Sequence, residues 1–305
     1  MIYKILHIKK TRENTARMTA FCLLFPAVVF IILLIGYPLI TVLEDAFMNK
    51  NLVNDSVSGF AGLDNFRKVI SDEHFGQTVR NTIVWTIFSV LGEYLVGMVT
   101  AVLLNQKFRG RAIYRTLIFI PWCVPIVVSG LVWDWMLNAN MGVVNYLLQN
   151  LHLISRPIQF LGNKDTAMAS VIFVNIWRTF PYYTISFLAV LQSIPHDIIE
   201  ASAIDGANVF QRFFKVILPQ LKSISLVLVF MHIIWTAINF DFIWIMTEGG
   251  PNYATETIPV MIYRYSMKSF DVGAASALST MVMAIMLILF LFYQKRRAKI
   301  SAEML

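Results

Sequence analysis

Met18-Thr-Ala-Phe-Cys-Leu-Leu-Phe-Pro-Ala-Val-Val-Phe-Ile-Ile-Leu-Leu-Ile-Gly-Tyr-Pro-Leu-Ile-Thr-Val-Leu43 is a run of 26 residues without a charge. As a helix rising about 1.5 Å per residue it exceeds the roughly 30 Å hydrocarbon thickness of a bilayer, so it reads as a tilted membrane span. A cleaved signal peptide has an apolar core of only about 7 to 15 residues, and this segment therefore reads as retained. Working outward, five more apolar segments cover 82–106, 116–137, 167–191, 224–246 and 272–293. Each is near the length a spanning helix requires, and the expected fold is an all-α integral membrane protein with six transmembrane helices. Prolines 26, 38, 121, 125 and 181 predict kinks or breaks inside these helices.

Composition agrees. The 305 residues are 57% hydrophobic and only 14% charged, where a soluble domain carries about 25% charge. Cys22 and Cys123 lie within apolar runs and have neither disulfide nor metal-site spacing. The net charge of +7 is explained by topology. Basic residues concentrate in 1–17, 107–115, 212–222 and 295–299, while Lys50, Arg67, Lys68, Arg80, Arg156, Lys164, Arg264 and Lys268 occupy the opposite side. The positive-inside bias then puts both termini in the cytoplasm, and no nucleic acid is needed to explain the basic excess. The expected divisions are a cytoplasmic segment 1–17, a six-span domain 18–294 and a cytoplasmic tail 295–305. Within 1–17, Ile2, Ile5 and Leu6 beside lysines fit either a helix on the membrane surface or a disordered basic tail.

Neither H-E-x-x-H, G-x-S-x-G nor G-x-x-x-x-G-K-[ST] occurs, and the five histidines fall in different segments. No catalytic residue or metal site is expected. Any nucleotide-driven step needs an ATPase on another chain.

The cytoplasmic connection from Ser193 to Pro219 is the most informative. Pro195 and Asp197 suit a helix start, Gly206 with Asn208 offers a break, and 210–217 can resume as a helix before Pro219. Its apolar residues Ile198, Ile199, Ala203, Phe210, Phe213 and Phe214 exceed what a free loop needs. They suit either packing on the chain's own bundle or insertion into a partner's groove.

Glu200-Ala201-Ser202, then Gly206, then after nine residues Val216-Ile217-Leu218-Pro219 resembles the E-A-A…G…I-x-L-P signature of permease subunits of binding-protein-dependent ABC importers. Ser202 and Val216 are small departures from it. Further stretches resemble the carbohydrate branch, of the maltose-transporter type. They include Asn65-Phe66, Phe108-Arg109-Gly110-Arg111, Leu191-Gln192-Ser193-Ile194-Pro195 and Thr247-Glu248-Gly249-Gly250-Pro251 with Thr255.

The resemblance implies a type I importer permease fold with cytoplasmic coupling helices, in a multi-pass protein of a bacterial cytoplasmic membrane, surrounded by lipid. It implies a second, different permease, an extracytoplasmic solute-binding protein, and two ATPase subunits that hold the ATP and Mg. The coupling loop would be 193–220. In it Glu200, Ala201, Ser202, Asp205, Gly206, Leu218 and Pro219 are the expected ATPase-coupling residues, with Gly206 supplying the tight turn. Gly249, Gly250 and Pro251 are the expected contact with the binding protein, together with the first extracytoplasmic connection.

Polar groups at membrane depth usually face a cavity or a partner. His232, Trp235, Thr236 and Asn239 share one helix face by spacing, as do Asn175, Arg178 and Tyr182. Aromatic plates with amide, hydroxyl and imidazole groups suit a carbohydrate, although interhelical packing uses the same residue types. Arg178 either meets an anionic substrate group or pairs internally with Asp241, Asp134 or Glu93, and internal pairing is the default expectation. An unpaired Arg178 would make an anionic oligosaccharide a plausible substrate. The competing readings are a stand-alone secondary transporter, which would need internal repeats that are not seen, and a membrane scaffold without transport.

Overall fold

The computed structural model describes residues 2–54 and 58–303, with the side chains of 2–14, 16, 196, 203 and 300–303 left out of the description. Helices dominate. Two contact units divide the chain: 1–69 with 265–281, and 70–264 with 282–305.

In the first unit, α1 (Ile2–Ile31) passes through a π turn at Ile32–Gly36 into α2 (Tyr37–Asp45). The turn has a local cause. Pro38 has no N–H for the carbonyl four residues back, and the ladder widens just before it, where the Tyr37 N–H donates to the Ile32 carbonyl. The backbone of 2–17 continues the helix of the first span; the side chains of Ile2, Ile5 and Leu6 lie outside the described residues. From Arg17 to Asp45 the helix is apolar on every side and unburied, the pattern of a lipid-facing span.

A short hairpin of β1 (Met48–Asn49) and β2 (Gly59–Phe60) follows, then α3 (Asp64–Ile70). Buried Asn65 donates to the carbonyls of Ala46 and Met48 at 3.0 and 2.9 Å. Lys68 bonds Asp271 at 2.6 Å. Asp271 immediately precedes α15 (Val272–Glu303), whose first turn is tied to this connection through the Lys50 carbonyl.

The second unit is built on α4 (Phe75–Asn105) and α8 (Ala167–Ser193). Between them lie α5 (Arg111–Cys123), α6 (Ile126–Met136) and α7 (Val143–Asn150). Afterwards come α9 (His196–Ile204), α10 (Val209–Arg212), α11 (Leu218–Gln220), α12 (Lys222–Ala237), α13 (Asp241–Thr247) and α14 (Ile258–Tyr263).

Two expected spans are broken. The third bends by 92° between α5 and α6, because Val124 before Pro125 is extended, as residues before proline prefer. The fifth stops at Ala237 and restarts at Asp241. Among the described residues three helices are long and apolar enough to cross a membrane, and five segments qualify if each bent pair is one span. The 27-residue α8 is long enough, but its polar and aromatic residues keep it outside that set.

Gly97 brings the backbones of α4 and α8 together. A Cβ there would lie 2.4 Å from the Tyr183 Cβ and 3.1 Å from the Phe180 carbonyl oxygen. Small residues at such crossings are how membrane helices approach closely. Gly97→Ala is expected to destabilise the bundle by about 2 kcal/mol through overpacking. Thermal unfolding in detergent measures this against Gly76→Ala, where an added Cβ meets nothing within 4 Å.

Candidate functional site

The elbow that follows α8 is built residue by residue. Helix α8 ends at Ser193, and Ile194 is extended before Pro195, opening α9. Gly206 adopts φ of +80°, and the Ala207 N–H reaches back to the Ser202 carbonyl at 3.0 Å, a Schellman closure of α9. An added Cβ at Gly206 would touch nothing, so the glycine is required by conformation rather than by space. Asn208 then caps α10 in a reciprocal box with Gln211, at 2.8 and 3.0 Å.

Beyond Arg212 the expected helix over 210–217 departs from α geometry. Phe213–Ile217 form a second π turn, again directly ahead of a proline, and the Leu218 N–H donates to the Phe213 carbonyl. Pro219 thus does here what Pro38 does in the first span. A 68° bend separates this limb from α12.

The two sides of the elbow differ. Phe213, Ile217 and Leu218 pack on the cluster of Met98, Leu104, Phe187, Leu191 and Leu221, anchoring it to α4 and α8. Ile204, Val209 and Phe210 point away, 87%, 75% and 76% exposed. Glu200, Ala201 and Asp205 are exposed with them, and Ser202 is partly covered, its hydroxyl on the Ile199 carbonyl at 2.7 Å. Glu200 makes no hydrogen bond or ion pair with any described residue. Ile198 and Phe214 are exposed, Ile199 is partly buried, and the side chain of Ala203 lies outside the described residues.

At membrane depth the centre is Glu93 on α4, fully buried. Asn175 donates to its Oε1 at 2.8 Å, and His232 Nδ1 lies 3.0 Å from its Oε2. The sequence offered Glu93 only as one of three candidate partners for Arg178 and did not place it at the centre of the site. Its partners sit on α8 and α12, and spacing along one helix says nothing about contacts between helices.

Tyr182 packs against Trp122, His232 and Trp235 with ring centroids at 5.8, 5.2 and 6.2 Å. Trp122, on α5, was also missed. Trp122 and Trp235 remain 40% and 49% exposed, so the aromatic face is open in the single chain.

The expected internal pairing of Arg178 is found only as a through-space charge interaction with Glu93. No described residue forms a hydrogen bond or ion pair with Arg178, and its Nε is buried without a partner. The expected face 232/235/236/239 is also corrected, because α12 ends at Ala237. Asn239 lies in the break, and its side-chain oxygen accepts the Phe242 N–H at 3.1 Å. Thr236 is buried, its carbonyl taking the Trp85 indole N–H at 2.8 Å.

In the turn after α13 Gly249 has φ of +87°, and Thr255 holds the turn through the Gly250 carbonyl and the Thr247 hydroxyl, each at 2.7 Å. Pro251 and Asn252 line an open surface depression of about 460 Å³ with Gln159, Gly162, Asn163 and Lys164. Arg264 clamps the loop through Glu256 and Asp72 at 3.1 and 3.3 Å. Burial opposes its charge, but the two carboxylates outweigh burial and hold its pKa above the usual value.

Residues 93–300 match the family model described as binding-protein-dependent transport system inner membrane component. The chain is 34% identical over 227 residues to the trehalose/maltose transport system permease protein MalF of Thermococcus litoralis, covering 74% of this chain and 76% of that one. It is 31% identical over 269 residues to the sulfoquinovosyl glycerol transport system permease protein SmoG of Agrobacterium fabrum, covering 88% and 87%. Among solved structures, a chain of a bacterial ABC transporter involved in the import of the acidic polysaccharide alginate superposes with a TM-score of 0.83 at 21% identity. That match spans 95% of this chain and 99% of that one, and it establishes a shared fold.

Proposed function

The chain belongs to the family of binding-protein-dependent transport system inner membrane components, and from that premise we propose that it is a sugar-translocating permease subunit of an ATP-driven ABC importer. The observation that carries this reading is the elbow: a rigidly capped helical turn, anchored on one side and presenting Glu200, Ile204, Val209 and Phe210 unpartnered on the other. Such a surface fits a groove on a separate ATPase, which supplies the ATP and Mg chemistry. Glu200, Ala201, Ser202, Asp205 and Gly206 enter that groove, while Leu218 and Pro219 join the elbow to α12. ATPase closure then moves α8 and α12, between which the elbow is spliced.

The sugar passes the open face of Trp122, Arg178, Tyr182 and Trp235, completed by a second, different permease; Asn175, His232, Thr236 and Asn239 hold that face in shape. Named sugar transporters among the relatives support the substrate class. The Gly249-Gly250-Pro251 turn receives the binding protein, and both termini are cytoplasmic.

The test is reconstitution of the chain with its second permease and ATPase in proteoliposomes. Sugar uptake is expected only with ATP inside and binding protein outside. Uptake sustained by an ion gradient without ATP would instead establish a secondary transporter.

A further inference from the structure

We infer that the transported sugar carries an acid group, a carboxylate or sulfonate, and that Arg178 is the residue that selects it. This rests on the proposed function above and adds the charge of the cargo. Arg178 stands one helical turn before Tyr182 on α8, so its guanidinium and the tyrosine ring share a face. It is half-buried, its Nε is shielded from solvent, and none of its donors is used by a described residue.

A guanidinium held at membrane depth is costly unless something answers its charge. Glu93 is the nearby carboxylate, yet its two oxygens are engaged by Asn175 and His232, and neither bonds Arg178. The pair therefore offsets charge at a distance without consuming the guanidinium's hydrogen-bonding fork. That fork matches a carboxylate or a sulfonate in geometry as well as charge.

The neighbours complete the fit. Tyr182, Trp122 and Trp235 present ring faces suited to stacking on a pyranose, and Trp122 stacks on Tyr182 at an interplanar angle of 26°. A uronate or sulfosugar stacked there would direct its acid substituent toward the preceding turn of α8, where Arg178 stands. A neutral sugar offers the guanidinium hydrogen-bond acceptors but no counter-charge, so it forgoes the stronger charge-assisted bonds that an acid group makes.

The experiment uses the complete transporter with its binding protein in proteoliposomes. Its probes are labelled uronate-bearing, sulfonate-bearing and neutral oligosaccharides of two to five units. Uptake is expected for acidic members, with matched neutral sugars at least about tenfold slower. Arg178→Leu is expected to reduce uptake of the acidic sugar about tenfold and narrow the acidic-to-neutral ratio, while Arg178→Lys keeps part of that ratio.

ATP-dependent uptake of neutral sugars at the same rate as acidic ones would overturn the inference and leave the proposed function standing. Acidic-sugar uptake unchanged in Arg178→Leu would overturn it as well. No ATP-dependent uptake of any sugar would overturn both. The wild-type comparison decides the charge preference even where Arg178→Leu does not assemble.

Discussion

Glu200→Lys in the assembled transporter is expected to cut ATP-driven uptake by about a hundredfold while the permease still inserts and unfolds at the same temperature. The two halves of this expectation have separate causes. Glu200 is exposed on α9 and has no bonded partner among the described residues, so reversing its charge removes nothing from this chain's own packing. Surface changes of that kind usually stay within about 0.5 kcal/mol. At an interface with a second protein the same reversal sets like charges together where opposite charges met, which costs several kcal/mol.

The elbow makes that cost visible as uncoupling. Its outer apolar residues Ile204, Val209 and Phe210 keep their surface, and its inner limb stays packed through Phe213, Ile217 and Leu218. The measurements are binding-protein-stimulated ATP hydrolysis and sugar uptake in the same vesicles, with co-purification of the ATPase as the assembly check. Uptake equal to the parent would remove Glu200 from the interface.

Hydropathy located three of the six expected spans as single helices, and two more as bent pairs, because it depends on burial in an apolar medium, which composition reports directly. The run at 18–43 and the segments opening at 82 and 272 lie on helices that meet the spanning criteria. Direction is another matter. The residues of 116–137 read as one apolar run, yet Val124 and Pro125 turn it through 92°. Proline positions marked where breaks are cheap, and two prolines, Pro38 and Pro219, instead produced π turns within continuous helices.

The site was legible where chemistry is local. The elbow's turn follows from Gly206, Asn208 and Gln211 within six residues of chain. Asn175, Arg178, Tyr182, His232 and Trp235 do gather, as their shared faces suggested. Which group each one bonds was not legible, since Glu93 lies 82 residues from Asn175 and 139 from His232. Asn239 shows the opposite failure: helical spacing extended its face past the end of α12, where its side chain serves the chain's own turn.

Glu93→Leu is expected to destabilise the permease by about 3–5 kcal/mol, the usual cost of removing one member of a buried charged network. The apolar side chain fits α4, but it strands the Asn175 amide and the His232 Nδ1 at once. His232 Nε2 already lacks a partner, so the imidazole loses its last bond, and Arg178 loses the negative charge within its reach. Glu93→Gln is expected to be milder. Its carbonyl still accepts from Asn175, and its amide can donate to His232 Nδ1 once the ring proton sits on Nε2.

The two causes, lost hydrogen bonds and an unanswered guanidinium, separate in a double-mutant cycle. Adding Arg178→Leu to Glu93→Leu removes the uncompensated cation, so the double variant is expected to be more stable than Glu93→Leu alone. Thermal unfolding of the purified complex reads all four corners. A double variant as unstable as the sum of the two single ones would mean that Arg178 and Glu93 do not feel each other. The guanidinium would then have to be balanced by something outside this chain, and the second permease would be the place to look for it.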